Sequence, residues 1–102
     1  MSMTIRLETE SGEVLESTGD PTNALHRILP AHDDATYGYV SCIDWYGDTT
    51  FNALQIPRFL SEWRRLLPAA RAQGAEALHR NIETMAKRCQ GEVHVYLKFL
   101  GD

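Results

Sequence analysis

The stretch Asp44-Trp45-Tyr46-Gly47-Asp48-Thr49-Thr50-Phe51-Asn52 decides how many strands this chain has. It lies between two runs rich in aromatic and β-branched residues, Tyr37 to Asp44 and Thr49 to Leu54. Read as a tight turn, it joins those runs into an antiparallel hairpin. Ala53 to Ile56 reads alternatively as an extended lead into the next helix. The turn carries two carboxylates and two large aromatics. Large aromatics in a solvent-facing element are costly unless something covers them, so this turn is the first candidate for a working surface.

Outward from the turn, the remaining elements follow from periodicity. Thr4 to Thr9 alternates apolar and polar, Gly12 sits in a turn, and Val14 to Ser17 returns, which predicts a hairpin. Asp20-Pro21 reads as a capped helix start, with Ala24, Leu25, Ile28 and Leu29 as a short apolar stripe ended by Pro30. Pro57 opens a second helix. Ile56, Phe59, Leu60, Trp63, Leu66 and Leu67 form its apolar face, and Arg58, Ser61, Glu62, Arg64 and Arg65 are assigned to the other. Pro68 interrupts it, with a short helical continuation expected over Ala69 to Gln73. A long helix is expected from about Ala75 to Gln90, with Leu78, Ile82, Met85, Ala86 and Cys89 inward and Gly91 as its stop. Glu92 to Phe99 alternates cleanly, with Val93, Val95, Leu97 and Phe99 on one face and His94, Tyr96 and Lys98 on the other. An apolar strand of this kind belongs inside a sheet. The expectation is an α+β fold: an antiparallel sheet of about five strands, ordered β-β-α-β-β-α-α-β, with helices packed on one face.

Length makes this a single domain over residues 1–102. Hydrophobic content of 43% and charged content of 24% are globular values, which sets disorder aside. Met1 to Arg6 lacks a basic region followed by an apolar core, so no leader is expected, and the predicted location is cytoplasmic. Residues 1–50 hold nine acids and two bases, net −7, and residues 51–102 hold five acids and eight bases, net +3, giving the total of −4. An acidic half of this kind suits a basic partner and argues against nucleic-acid binding by the whole domain.

Few residues form a chemical constellation. Asp44 and Asp48 could bind a cation or act as acid and base, although aspartate is also an ordinary turn residue. His26, His32, His79 and His94 are scattered at no metal-binding spacing, and only His32 neighbours acids, Asp33 and Asp34. Cys42 and Cys89 are expected to be buried thiols, one in a strand and one on a helix. Arg58, Arg64, Arg65 and Arg71, with Arg80, Lys87 and Arg88, could contact phosphates, but their spacing to glutamates predicts ordinary ion pairing. Of Trp45 and Tyr46, strand alternation lets one face the core and one face outward. No cofactor, metal or nucleotide motif is recognised.

Tyr46-Gly47-Asp48-Thr49-Thr50-Phe51-Asn52-Ala53-Leu54-Gln55-Ile56-Pro57, then Phe59-Leu60-Ser61-Glu62, and finally Tyr96-Leu97-Lys98-Phe99-Leu100-Gly101-Asp102 resemble a group of small bacterial proteins of unassigned function. The resemblance covers Asp44 to Asp102 and leaves out the N-terminal hairpin. It implies a bacterial, cytoplasmic, stand-alone domain and supplies no catalytic residues. The functional expectation is a protein-binding module using Asp44, Trp45, Tyr46 and Asp48, with a basic protein as partner, as an immunity protein has. The alternatives are a small metal- or metabolite-dependent enzyme built on Asp44 and Asp48 with His32 or His94, and weak nucleic-acid contact through the arginine helices. A homodimer through Tyr37, Tyr39 and Tyr96 on the sheet's open face is a further alternative.

Overall fold

The computed structural model describes residues 2–101. Four strands, β1 (Thr4–Thr9), β2 (Val14–Gly19), β3 (Asp48–Phe51) and β4 (Val95–Leu100), form one antiparallel sheet in the order β2-β1-β4-β3. The helices are α1 (Leu25–Ile28), α2 (Ile56–Arg64), α3 (Leu67–Ala72) and α4 (Glu76–Gly91). The alternation read in β1 and β4 holds. Ile5, Leu7, Val95, Leu97 and Phe99 are buried on the side where α2 and α4 pack, whereas Arg6, Tyr96 and Lys98 are only partly covered on the open face. Phe51, Phe59, Trp63 and Phe99 meet ring to ring between the sheet and α2. No helix among the described residues is long and apolar enough to cross a membrane.

The fold is α+β, with four strands among the described residues where about five were expected. Tyr37 to Asp44 is not a strand but a pair of 3-10 turns, Ala35–Tyr37 and Val40–Cys42. The cause is local. Asp34 Oδ1 accepts the Thr36 N–H at 3.0 Å and starts the first turn. The Glu62 carboxylate then accepts the N–H groups of Tyr39 at 3.0 Å and Val40 at 2.9 Å. A side chain thus satisfies backbone donors that a strand would have given to a ladder. β3 therefore has no hairpin partner before it and pairs with β4 instead. It stops at Phe51 because Asn52 and Gln55 exchange backbone-to-side-chain hydrogen bonds, 2.9 Å and 3.1 Å, and turn the chain into α2.

Cys42, expected inside a strand, is exposed, and its thiol donates to the Gly38 carbonyl at 3.2 Å. Val93, expected on the buried face, is 79% exposed, because His94 takes a left-handed φ of 57° and β4 begins only at Val95. Pro21 lies in a turn before α1. Asp20 still caps, but its two carboxylate oxygens accept the N–H groups of Ala24 and Leu25, each at 2.8 Å. Glu62, assigned to the polar face of α2, is only 1% exposed.

α2 and α4 are joined by a reciprocal pair. Trp63 Nε1 donates to the His79 carbonyl at 3.1 Å, and His79 Nε2 donates to the Trp63 carbonyl at 2.8 Å. The two rings stack with centroids 4.9 Å apart. Both polar edges are satisfied, so these large side chains can be buried without an unpaired donor.

Candidate functional site

The loop from Asp44 to Gly47 runs over the end of β4 and into β3. Asp44 closes it from within: its N–H donates to Thr49 Oγ1 at 2.9 Å, and its Oδ1 accepts the Tyr46 N–H at 2.9 Å. The Gly101 N–H donates to the Gly47 carbonyl at 2.8 Å and ties the loop to the end of β4. The approach is close. A Cβ built on Gly101 would lie 2.5 Å from the Trp45 carbonyl oxygen, and one on Gly47 would lie 2.8 Å from Asp44 Oδ2.

This geometry separates the two aromatics. Trp45 turns back against the core and meets the His26 ring edge-on, with centroids 4.9 Å apart. Tyr46 points outward and is 73% exposed. Asp44 and Asp48 are exposed on either side of it. Tyr46 is thus a large aromatic on a loop whose backbone is pinned at both ends, which lowers the entropy lost on contact with a partner.

Charge compensation divides the molecule. On the helices, Arg58 pairs with Glu62, Arg64 with Glu83, Arg71 and Arg80 with Glu76, Lys87 with Glu83, and Arg88 with Glu16 and Glu92. Arg65 lies over the Tyr37 ring and Arg58 over the Tyr39 ring, each 5.1 Å from the centroid. The basic helix face is therefore largely consumed by internal partners. Asp33, Asp34, Asp44 and Asp48 have no ion pair among the described residues. These uncompensated acids, in the connection between α1 and β3 and at the first residue of β3, leave that stretch of chain with negative charge.

The residues of the enzyme alternative do not converge. His94 pairs with Glu10 at 3.2 Å before the start of β4, whereas Asp48 is opposite Leu100 at its other end. Strand rise puts about 20 Å between them. His32 is exposed in the loop before the first 3-10 turn. Among the described residues, no three His, Cys, Asp or Glu side chains are grouped to hold a metal ion. Surface depressions of about 440 and 370 Å³ both have His94 in their walls, at the far end of β4 from the loop. Cys89 is buried, and burial pushes its thiol up to about 11, so it is a poor nucleophile at neutral pH.

The tyrosines of the expected dimer do not share a face. Tyr37 and Tyr39 lie on the helix side beneath their arginines, and Tyr96 lies on the open face opposite Glu8. The burial of Glu62 has a signal in the sequence: it stands three residues after Phe59 and four before Leu66, on the apolar stripe. Comparison with protein-family models, curated proteins and solved structures gave no match.

Proposed function

We propose that this chain is a protein-binding module of the bacterial cytoplasm, without catalytic activity of its own, whose contact surface is the loop from Asp44 to Asp48. Its carrying observation is Tyr46, 73% exposed on a pinned loop between two exposed carboxylates that have no ion pair among the described residues. Tyrosine is among the residue types that dominate binding energy at interfaces. Trp45 acts as a buttress that holds the loop on the fold, and Asp44 and Asp48 select a basic surface. A small acidic domain with this arrangement suits the neutralisation of a basic protein, in the way an immunity protein meets its toxin. That analogy is one of size and charge.

The test is capture from the source cell's lysate with wild-type, Tyr46→Ala and Asp48→Asn baits, each checked for folding by near-UV circular dichroism. The expected result is a basic protein retained by wild type, released by salt, and weakened by both substitutions. Equal capture by all three baits would remove the loop from the interface.

A further inference from the structure

The sheet has two edges, and they are built differently. β2 is guarded. The β1–β2 register shifts at Leu7/Glu8, where Leu15 is the extra residue on β2. Its neighbour Glu16 stands opposite Leu7, on the helix side, and is held by Arg88 Nη1 at 2.9 Å. A bulge and an inward-pointing charge are both devices that discourage further strand pairing.

β3 has neither. Its register with β4 is unbroken from Asp48 to Phe51, and it contains no proline, lysine or bulge. Backbone direction follows from the Gly101 N–H bond to the Gly47 carbonyl. In an antiparallel ladder, hydrogen-bonded pairs alternate, so Thr49 and Phe51 bond to β4 while Asp48 and Thr50 direct their N–H and C=O groups away from it. No hydrogen bond reaches those outward backbone groups among the described residues. The next outward donor, Asn52 N–H, is already taken by Gln55. The free edge is therefore short and defined: the backbone of Asp48 and Thr50, both exposed, directly after the Tyr46 loop.

We propose that the β3 edge takes an extended, lysine- or arginine-bearing segment of the partner protein as a fifth strand. This rests on the reading of the Asp44–Asp48 loop as the partner surface. The backbone of the added strand would bond Asp48 and Thr50, and its alternate side chains would stand beside Asp48 on the open face. Charge complementarity selects the occupant. Asp44 and Asp48 carry no ion pair among the described residues, and Lys98, in the row beside Thr50, is already neutralised by Glu8 at 3.2 Å. A second copy of this chain brings its own net charge of −4, which opposes self-pairing at this edge.

The probe is a phage-displayed library of random linear peptides, selected on the wild-type protein. Enriched peptides are then titrated into wild type, Thr50→Pro, Asp48→Lys and Tyr46→Ala, with amide chemical shifts followed by NMR. Thr50→Pro removes an outward N–H that β4 does not use, so the sheet should persist, and dispersed spectra check this. Asp48→Lys leaves the backbone intact and reverses the charge. The expected result is enrichment of basic, alternating sequences that shift the Asp48 to Thr50 amides, with affinity reduced about tenfold or more by Thr50→Pro and by Asp48→Lys. No enrichment, enrichment of acidic peptides, or binding that Thr50→Pro leaves unchanged would overturn edge pairing. Peptides lost on Tyr46→Ala but kept by Thr50→Pro would reject the added strand and leave the loop as partner surface. Peptides indifferent to both would reject the two readings together. Self-association of the free protein that Thr50→Pro abolishes would assign the edge to a second copy instead.

Discussion

Two neighbouring pieces of one connection, Ala35–Cys42 and Asp44–Gly47, use similar residues to opposite ends. Each contains aromatics and glycine, and each is set by an aspartate that accepts a backbone N–H two residues on, Thr36 for Asp34 and Tyr46 for Asp44. The first piece is spent inward. Its tyrosines lie beneath Arg58 and Arg65, and its backbone is held by Glu62. The second turns Trp45 inward but presents Tyr46 and the Asp44 carboxylate to solvent, next to the exposed Asp48. The difference lies in the surroundings. α2 and the residue that caps it offer the first piece a buried acceptor, Glu62, and two guanidinium planes, Arg58 and Arg65. The end of β4 offers the second only a close backbone contact at Gly101.

The strongest way to break this contrast is at Glu62. Its carboxylate accepts two backbone N–H groups and the Arg58 Nε, at 3.1 Å, from a buried position. Glu62→Ala leaves the buried Val40 N–H and the part-buried Tyr39 N–H without their acceptor, whereas the largely exposed Arg58 can turn to water. The expected loss is about 3 kcal/mol or more, read as a lower midpoint in urea denaturation. Glu62→Gln keeps an acceptor and should cost less. A loss below about 1 kcal/mol for Glu62→Ala would mean that the 3-10 turns hold themselves.

Gly101→Ala tests the other anchor. The new methyl group would meet the Trp45 backbone, which cannot rotate away as a flexible side chain could. The loop must shift, at about 1–3 kcal/mol. Because Trp45 rests on His26, its fluorescence should change along with stability. Unchanged fluorescence at full stability would show that the loop is not clamped there.

Asp44→Ala removes the acceptor for the Tyr46 N–H in an exposed loop, so water can replace it. The cost to stability should be about 1 kcal/mol or less. The effect on partner capture should be larger, because the substitution removes both a charge and the turn that aims Tyr46. A stability loss with unchanged capture would make Asp44 a turn residue only.

How much of this could be read in the chain depends on what each residue faces. β1, β4, α2 and α4 are legible because one-sided burial leaves a period of two or 3.6 in the sequence, whereas β2, which buries no residue, is legible only through the Gly12 turn that returns the chain along β1. The Tyr37 to Asp44 run misleads because aromatic and β-branched content reports a half-buried surface, not a ladder. Here that surface is two 3-10 turns packed under α2, and the missing acceptor is a glutamate more than twenty residues away. Val93 misleads differently: its alternation is correct, but a left-handed His94 breaks the backbone before β4 begins. At the loop, neighbouring Trp45 and Tyr46 had to point apart, yet which one faced out depended on His26 and Gly101, neither of them near in sequence.

The smallest effect on stability is expected where the effect on binding is largest. Tyr46 is mostly exposed, lies outside the core, and only its backbone N–H is used by the loop. Tyr46→Ala keeps that N–H, so the folded protein loses little, within about 0.5 kcal/mol in denaturant. The same truncation at an interface hot spot costs about 2 kcal/mol or more of binding energy. Measured on one variant, the two numbers should diverge. Stability falling with binding would place Tyr46 among the residues that hold the fold, beside Tyr37 and Tyr39, and the inward and outward pieces of the connection would no longer be distinct.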